Sequence, residues 1–344
     1  MLPLPVGDAA GMRVAPRIRV ALVQLRPKLG HVQANIARAK ELCRKIPPHS
    51  VDLVCFPELA FTGYAFPDAR AIAPHLEPPR TGATGVFCAA LARELGCAVL
   101  AGYPERLDPN GAEPGPAGAN SAVLFGPDGA CIGGTRKTNL YPVDKTWARP
   151  GGLPSLAPLC SDSPAGNGFA TFTIPLAGPG RAAPQSARVA VGICMDLNAA
   201  PPHAWTTEGG PYELADYALA ERADALVLLN AWLDSRQYPE HSHDLSTLNF
   251  WAQRLRPMWV RNTAATPDAA GRETLVAICN RGGVENDTVY AGCSAVFRMR
   301  RGAGERGLLR AALGRREEDV LIWPAVGEGE EEEEEGSSEE EEDG

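Results

Sequence analysis

Three reactive side chains end β-like runs in the order carboxylate, amine, thiol: Glu58 in CFPELAFTGY, Lys137 in GTRKTNLYP and Cys194 in VGICMDLN. Strand ends are where α/β folds assemble their sites. Hydrolysis of an unactivated amide needs a nucleophile, a proton shuttle and a group to hold the developing oxyanion. A thiolate, a carboxylate and an ammonium supply those roles. In a closed pocket the Lys137 cation favours the ionised thiol, while Glu58 takes the thiol proton and later hands it to departing ammonia. Each residue alone has a plainer explanation: Glu58 as a helix N-terminal or surface carboxylate, Lys137 as one of two solvated charges beside Arg136, Cys194 as an inert core thiol. It is the conjunction that points to chemistry, and no Cys–His pattern of equal clarity competes with it.

The elements that must position these residues alternate along the chain. A β-rich run at 18–25 precedes helical apolar spacing at 35–46 and a second strand at 51–56. Beyond this β-α-β opening we expect a helix at 85–95 and strands at 97–103, 121–125 and 130–138. A Pro/Gly/Ser-rich loop at 150–168 separates them from strands at 170–176, 188–194 and 225–230 and helices at 212–222 and 244–254. Strands at 258–262, 274–280 and 291–297 complete the pattern. Strands outnumber helices and often run in pairs, which favours two sheets covered by helices over one doubly wound sheet.

Composition narrows the class. The formal charge of −9 is concentrated at one end: residues 328–343 hold twelve acidic side chains and no basic one, and without them the total becomes +3. A nearly neutral body gives no electrostatic case for a nucleic-acid partner. No stretch approaches the roughly 20 apolar residues of a membrane span, so no membrane association is expected. Nine scattered cysteines without a CxxC pair suit reduced, buried thiols in an intracellular, cytoplasmic protein, with a nuclear or mitochondrial pool left open. Arg13 and Arg17 leave room for an organellar transit peptide. His241 and His243 in HSH lack a nearby carboxylate or cysteine set, so neither metal nor cofactor is expected. Trp251, Arg254 and Trp259 fit either a channel lining or core at helical spacing.

PEL at 57–59, RK at 136–137 and GICMD at 192–196 resemble, in order and spacing, the Glu, Lys and Cys motifs of the carbon–nitrogen hydrolase, or nitrilase, superfamily. The likeness runs from about residue 17 to residue 300. It implies an α/β fold, a four-layer α-β-β-α sandwich, with Glu58, Lys137 and Cys194 catalytic. We expect a flexible extension at 1–17, a carbon–nitrogen hydrolase domain at 18–326 and a disordered acidic tail at 327–344, whose Glu, Gly, Ser and Asp offer no apolar group to bury. Superfamily members carry a second glutamate after the lysine; here Asp144 stands in that region, as a supporting carboxylate or with the role absent.

FPELAFTGYAF, RKTNLYPVDKTW, GICMDLN and LNFWAQRLRPMW resemble the fungal N-terminal amidases more than the general nitrilases. That resemblance implies protein or peptide substrates with a free N-terminal Asn or Gln, converted to Asp or Glu plus ammonia through a Cys thioester, exposing an N-degron. Such a pocket needs an anion for the α-ammonium; Asp196 is the nearest candidate, with Asn198 as an amide partner, against the alternative that Asp196 caps a turn. Rival readings are another small-amide or N-carbamoyl hydrolase of the superfamily, or an inactive scaffold. Monomer and homodimer are both compatible with the sequence.

Overall fold

The computed structural model describes residues 17–107, 116–152, 168–176, 185–260, 273–304 and 308–324. The acidic tail, the extension before Arg17 and most of the loop at 150–168 lie outside the described residues, as does Cys160. The other eight cysteines are free, and all but Cys131 are buried.

The N-terminal half builds one sheet. Strands β1 (Val20–Val23) and β2 (Leu53–Phe56) flank helix α1 (Val32–Cys43). A four-residue turn of helix, α2 (Ala69–Ile72), and the longer α3 (Ala83–Leu95) lead to β3 (Ala98–Arg106), β4 (Gly118–Phe125) and β5 (Cys131–Arg136). β1, β2 and β3 run parallel; β4 and β5 return antiparallel.

The second sheet follows from β6 (Ala170–Leu176), β7 (Gln185–Ile193), β8 (Ala225–Asn230), β9 (Glu273–Asn280) and β12 (Ala295–Arg300), with α4 (Glu213–Ala220) and α5 (Leu245–Arg254) between them. A small hairpin of β10 (Val284–Glu285) and β11 (Thr288–Val289) precedes β12. β13 (Leu309–Ala312) extends the second sheet, whereas β14 (Val320–Trp323) crosses back and pairs antiparallel with β1. The orders are β14-β1-β2-β3-β4-β5 and β13-β12-β9-β8-β7-β6.

Alternation of side chains assigns the layers. Val20, Leu22, Leu53, Cys55 and Leu100 of the first sheet share one buried core with Val189, Val191, Val227, Leu229 and Ala277 of the second. The opposite faces differ: Ala21, Val23, Val54 and Val99 pack on Leu42, Cys88 and Leu91 of α1 and α3, while Leu226, Leu228 and Val276 pack on α4 and α5. Strands buried on both faces read as near-continuous apolar runs, as LVCF and ALVLLN do. The result is the helix–sheet–sheet–helix sandwich that the strand count implied. Among the described residues no helix is long and apolar enough to cross a membrane.

Three expectations are corrected. The strand placed at 258–262 is instead a 3-10 turn, Arg256–Met258, with Pro257 at its start; Met258 and Trp259 are apolar because they are buried, and 261–262 lie outside the described residues. The strand expected at 291–297 begins at Ala295, since Gly292 and Cys293 both adopt positive φ. β13 and β14 were not anticipated as strands.

Candidate active site

Each of the three reactive residues sits where a strand ends. Glu58 lies two residues beyond β2, and Leu59 after it takes a φ of 46°. This tight turn is pressed against β3 at Gly102, whose N–H donates to Pro57 O and whose carbonyl accepts from Ala60 N. A Cβ at Gly102 would stand 2.7 Å from Glu58 Cα, so glycine is required for that approach. Lys137 follows β5 directly, its N–H bonded to Asn120 O of β4 at 2.8 Å. Cys194 follows β7 directly, opens the 3-10 turn Cys194–Leu197, and has a φ of 48°. A left-handed non-glycine costs energy that only surrounding structure can hold in place, and such residues cluster at functional sites.

The side chains converge. Lys137 Nζ lies 2.6 Å from Glu58 Oε1 and 2.7 Å from Asp144 Oδ2, with all three groups shut off from solvent. The other oxygen of Glu58 accepts the Ala231 N–H at 2.9 Å. Asp144 stands on the other side of the same ammonium, and its side chain also accepts from Tyr141 N and from Asn120. The Tyr64 ring stands 5.6 Å from Lys137 Nζ.

Electrostatics follow from burial and this charge order. Burial pulls Lys137 down, but Asp144 and Glu58 outweigh it and hold the ammonium above the ordinary lysine value. Burial lifts Glu58 above the usual carboxylate range, with Lys137 opposing and Asp144 adding to the lift. Burial also raises the Cys194 thiol; Glu58 raises it further, and Lys137 and the Ala231 N–H work against that. Burial and Glu58 thus oppose the ionised thiol that the Lys137 cation alone would favour, an arrangement suited to moving the thiol proton to Glu58 as attack proceeds.

Of the two readings of Asp196, the geometry matches the cap. Its Oδ1 accepts from Thr138 N, Thr138 Oγ1 and Asn139 N, and its Oδ2 from Ile193 N, so the buried carboxylate is filled by protein donors. Asn198 likewise faces the frame, accepting from Arg254 Nε at 3.1 Å. Arg254, Trp251 and Trp259 are core residues; Arg254 gives its remaining donors to Thr206 O and Pro211 O between the rings of Trp205 and Tyr212. His241 stacks on Tyr238 and His243 pairs with Ser242; among the described residues no cluster of three or more potential ligands could hold a metal ion.

Asn120, Tyr64 and Ala231 escaped sequence reasoning. Asn120 had one visible signal: an amide, with Ser121 beside it, inside a buried and mostly apolar strand, GANSAVLF. Ala231 contributes only backbone and leaves no trace in residue type.

The chain as a whole is similar to known proteins. The chain is 27% identical over 322 residues to a protein N-terminal amidase of Schizosaccharomyces pombe, spanning 89% of this chain and 98% of that one. It is 25% identical over 240 residues to a protein N-terminal amidase of Saccharomyces cerevisiae, covering 67% of this chain and 48% of the yeast protein. The fold matches a solved N-terminal amidase in complex with an Asn-Glu-Ala peptide at a TM-score of 0.72 and 18% identity, over 89% of this chain and 96% of that one. The sequence profile of the carbon-nitrogen hydrolase family matches residues 19–200, which include Glu58, Lys137 and Cys194. The chain belongs to the carbon-nitrogen hydrolase family.

Proposed function

We propose that residues 18–326 form a protein N-terminal amidase that hydrolyses the side-chain amide of N-terminal Asn or Gln. The observation that carries this is the closed group in which a buried Lys137 ammonium bridges Glu58 and Asp144 beside Cys194. Similarity to the fission-yeast amidase over nearly its full length supports the choice of amide.

In this scheme Cys194 attacks the side-chain carbonyl while its proton passes to Glu58. Lys137 and the backbone N–H after the cysteine hold the oxyanion, and Glu58 then gives that proton to the amide nitrogen, which leaves as ammonia as the C–N bond breaks and the thioester forms. Water, deprotonated by Glu58, cleaves the thioester to Asp or Glu and restores the thiol. Asp144 keeps the ammonium aimed at the site. Asp196 and Asn198 act from beneath, bracing the turn that carries the nucleophile. The product exposes an acidic N-terminus, a degradation signal in the cytoplasm.

Mass spectrometry on Gln- and Asn-initiated peptides, their N-acetylated forms and free glutamine tests this reading. A gain of about one dalton on the free peptides alone is the expected result, since the amide nitrogen leaves as ammonia. Turnover of acetylated peptides or of free glutamine at equal rates would instead indicate a general small-amide hydrolase.

A further inference from the structure

We propose that Asn120 is a positioning residue of this site, whose side-chain amide, set between Glu58 and Asp144, fixes both carboxylates in one register about the Lys137 ammonium. The inference rests on the reading of Glu58 as the proton shuttle.

Asn120 lies in the middle of β4, fully buried. Its Nδ2 donates to Glu58 Oε1 at 2.7 Å and to Asp144 Oδ1 at 3.1 Å, which uses both amide hydrogens on the two carboxylates. Its Oδ1 has no hydrogen-bond partner. Turning the amide over would set that oxygen against two carboxylate oxygens, so the surroundings dictate this orientation. A buried amide oxygen left unbonded is a cost that an apolar residue at the same position would avoid. The side chain is therefore tolerated for what its nitrogen does.

What the nitrogen does follows from counting charges. Glu58 faces Lys137 and Asp144 from the segment after β5, Cys194 from the end of β7, Tyr64 from its own loop and Tyr290 from the segment after β11. One ammonium serves two carboxylates, and it can lean toward either. Asn120 adds a neutral donor to each, so neither has to rotate to capture the whole cation. With Oε1 held by Lys137 and Asn120 and Oε2 by Ala231 N–H, Glu58 has a single orientation toward the sulfur.

The test is Asn120→Leu, similar in shape and without donors, with Asn120→Ala as a smaller variant that removes the same donors without filling space. Both are assayed for ammonia release from a Gln-initiated peptide across pH, beside Glu58→Gln. Losing a charge-assisted donor disfavours the ionised carboxylate, so the acid limb of kcat moves up by roughly half to one pH unit and kcat at neutral pH falls roughly tenfold. KM stays within about threefold, because no substrate contact is removed. An unmoved acid limb with unchanged kcat, or a loss confined to KM, in whichever variant folds, would overturn the proposal. If Glu58→Gln is inactive in that case, only the role of Asn120 falls. If Glu58→Gln keeps full activity, the shuttle assignment itself fails.

Discussion

Thr138 gives both its backbone N–H and its hydroxyl to Asp196 Oδ1, at 2.9 and 2.7 Å. The residue after the lysine is thereby tied to the residue two beyond the cysteine, and two sheets that share an apolar core gain a polar register at the site. Removing the charge while keeping the shape separates this role from substrate binding. Asp196→Asn turns one acceptor into a donor that faces protein N–H groups; we expect kcat to fall at least tenfold with KM little changed. A rise in KM for free-amino peptides alone would restore Asp196 as the anchor of the α-ammonium.

The nucleophile's backbone gives a stability outcome opposite to its chemical one. Cys194→Ala should abolish ammonia release and leave the protein folded. Cys194→Gly should be equally inactive yet more stable than Cys194→Ala by roughly 1 kcal/mol, because a φ of 48° penalises any Cβ. Urea denaturation of the two variants measures the difference; an alanine variant as stable as the glycine one would mean the turn relaxes.

Lys137→Met leaves Glu58 and Asp144 facing one another with no cation. Activity should vanish, and the fold should lose about 3–5 kcal/mol at neutral pH, the usual penalty for one partner stripped from a buried ion group. The sign with pH follows. Without the ammonium the buried Glu58 carboxylate, already raised by burial, binds its proton more readily in the folded state than in the unfolded chain, so the deficit shrinks as pH falls toward the ordinary carboxylate range. Chemical denaturation at neutral and acid pH measures it, and an equal deficit at both would contradict the charge account.

Burial and the Glu58 charge hold the Cys194 thiol above its ordinary value. Iodoacetamide should therefore modify Cys194 slowly at neutral pH and faster as pH rises through and beyond the ordinary thiol range, followed by mass mapping of its peptide. Glu58→Gln removes a negative neighbour and leaves Lys137 in place, which lowers the thiol value; labelling of that variant at neutral pH should accelerate even though catalysis is lost. Slower labelling in Glu58→Gln would show that the carboxylate does not face the sulfur in solution.

The sandwich was legible because its strands are buried on both faces and spelled as apolar runs, and the reactive trio because each member follows such a run. What stayed hidden has physical causes. VLIW at 320–323 is a four-residue apolar run beside Glu317, Glu318 and Asp319, too short to distinguish from the start of an acidic tail until its pairing with β1 is seen. RPMWV reads as a strand because burial alone makes Met258 and Trp259 apolar, and local pattern carries no information about which surface buries them. Asp196 reads from sequence either as a ligand for substrate or as a turn cap, because sequence gives its charge and not the four donors that surround it. Ala231 acts through an N–H that every residue but proline has.

The pairing of Val20 with Trp323 sets an order on biosynthesis. At ordinary elongation speeds β1 leaves the ribosome roughly 15–60 s before its outer neighbour does. Gln24 waits as long, since its amide bonds to Gly314 O and Glu317 O. In the last part of that interval, once residue 194 has been added, the nascent polypeptide contains its acid, amine and thiol but has an open sheet margin, so a product terminated between residues 194 and 320 carries the reagents of the reaction without the finished vessel.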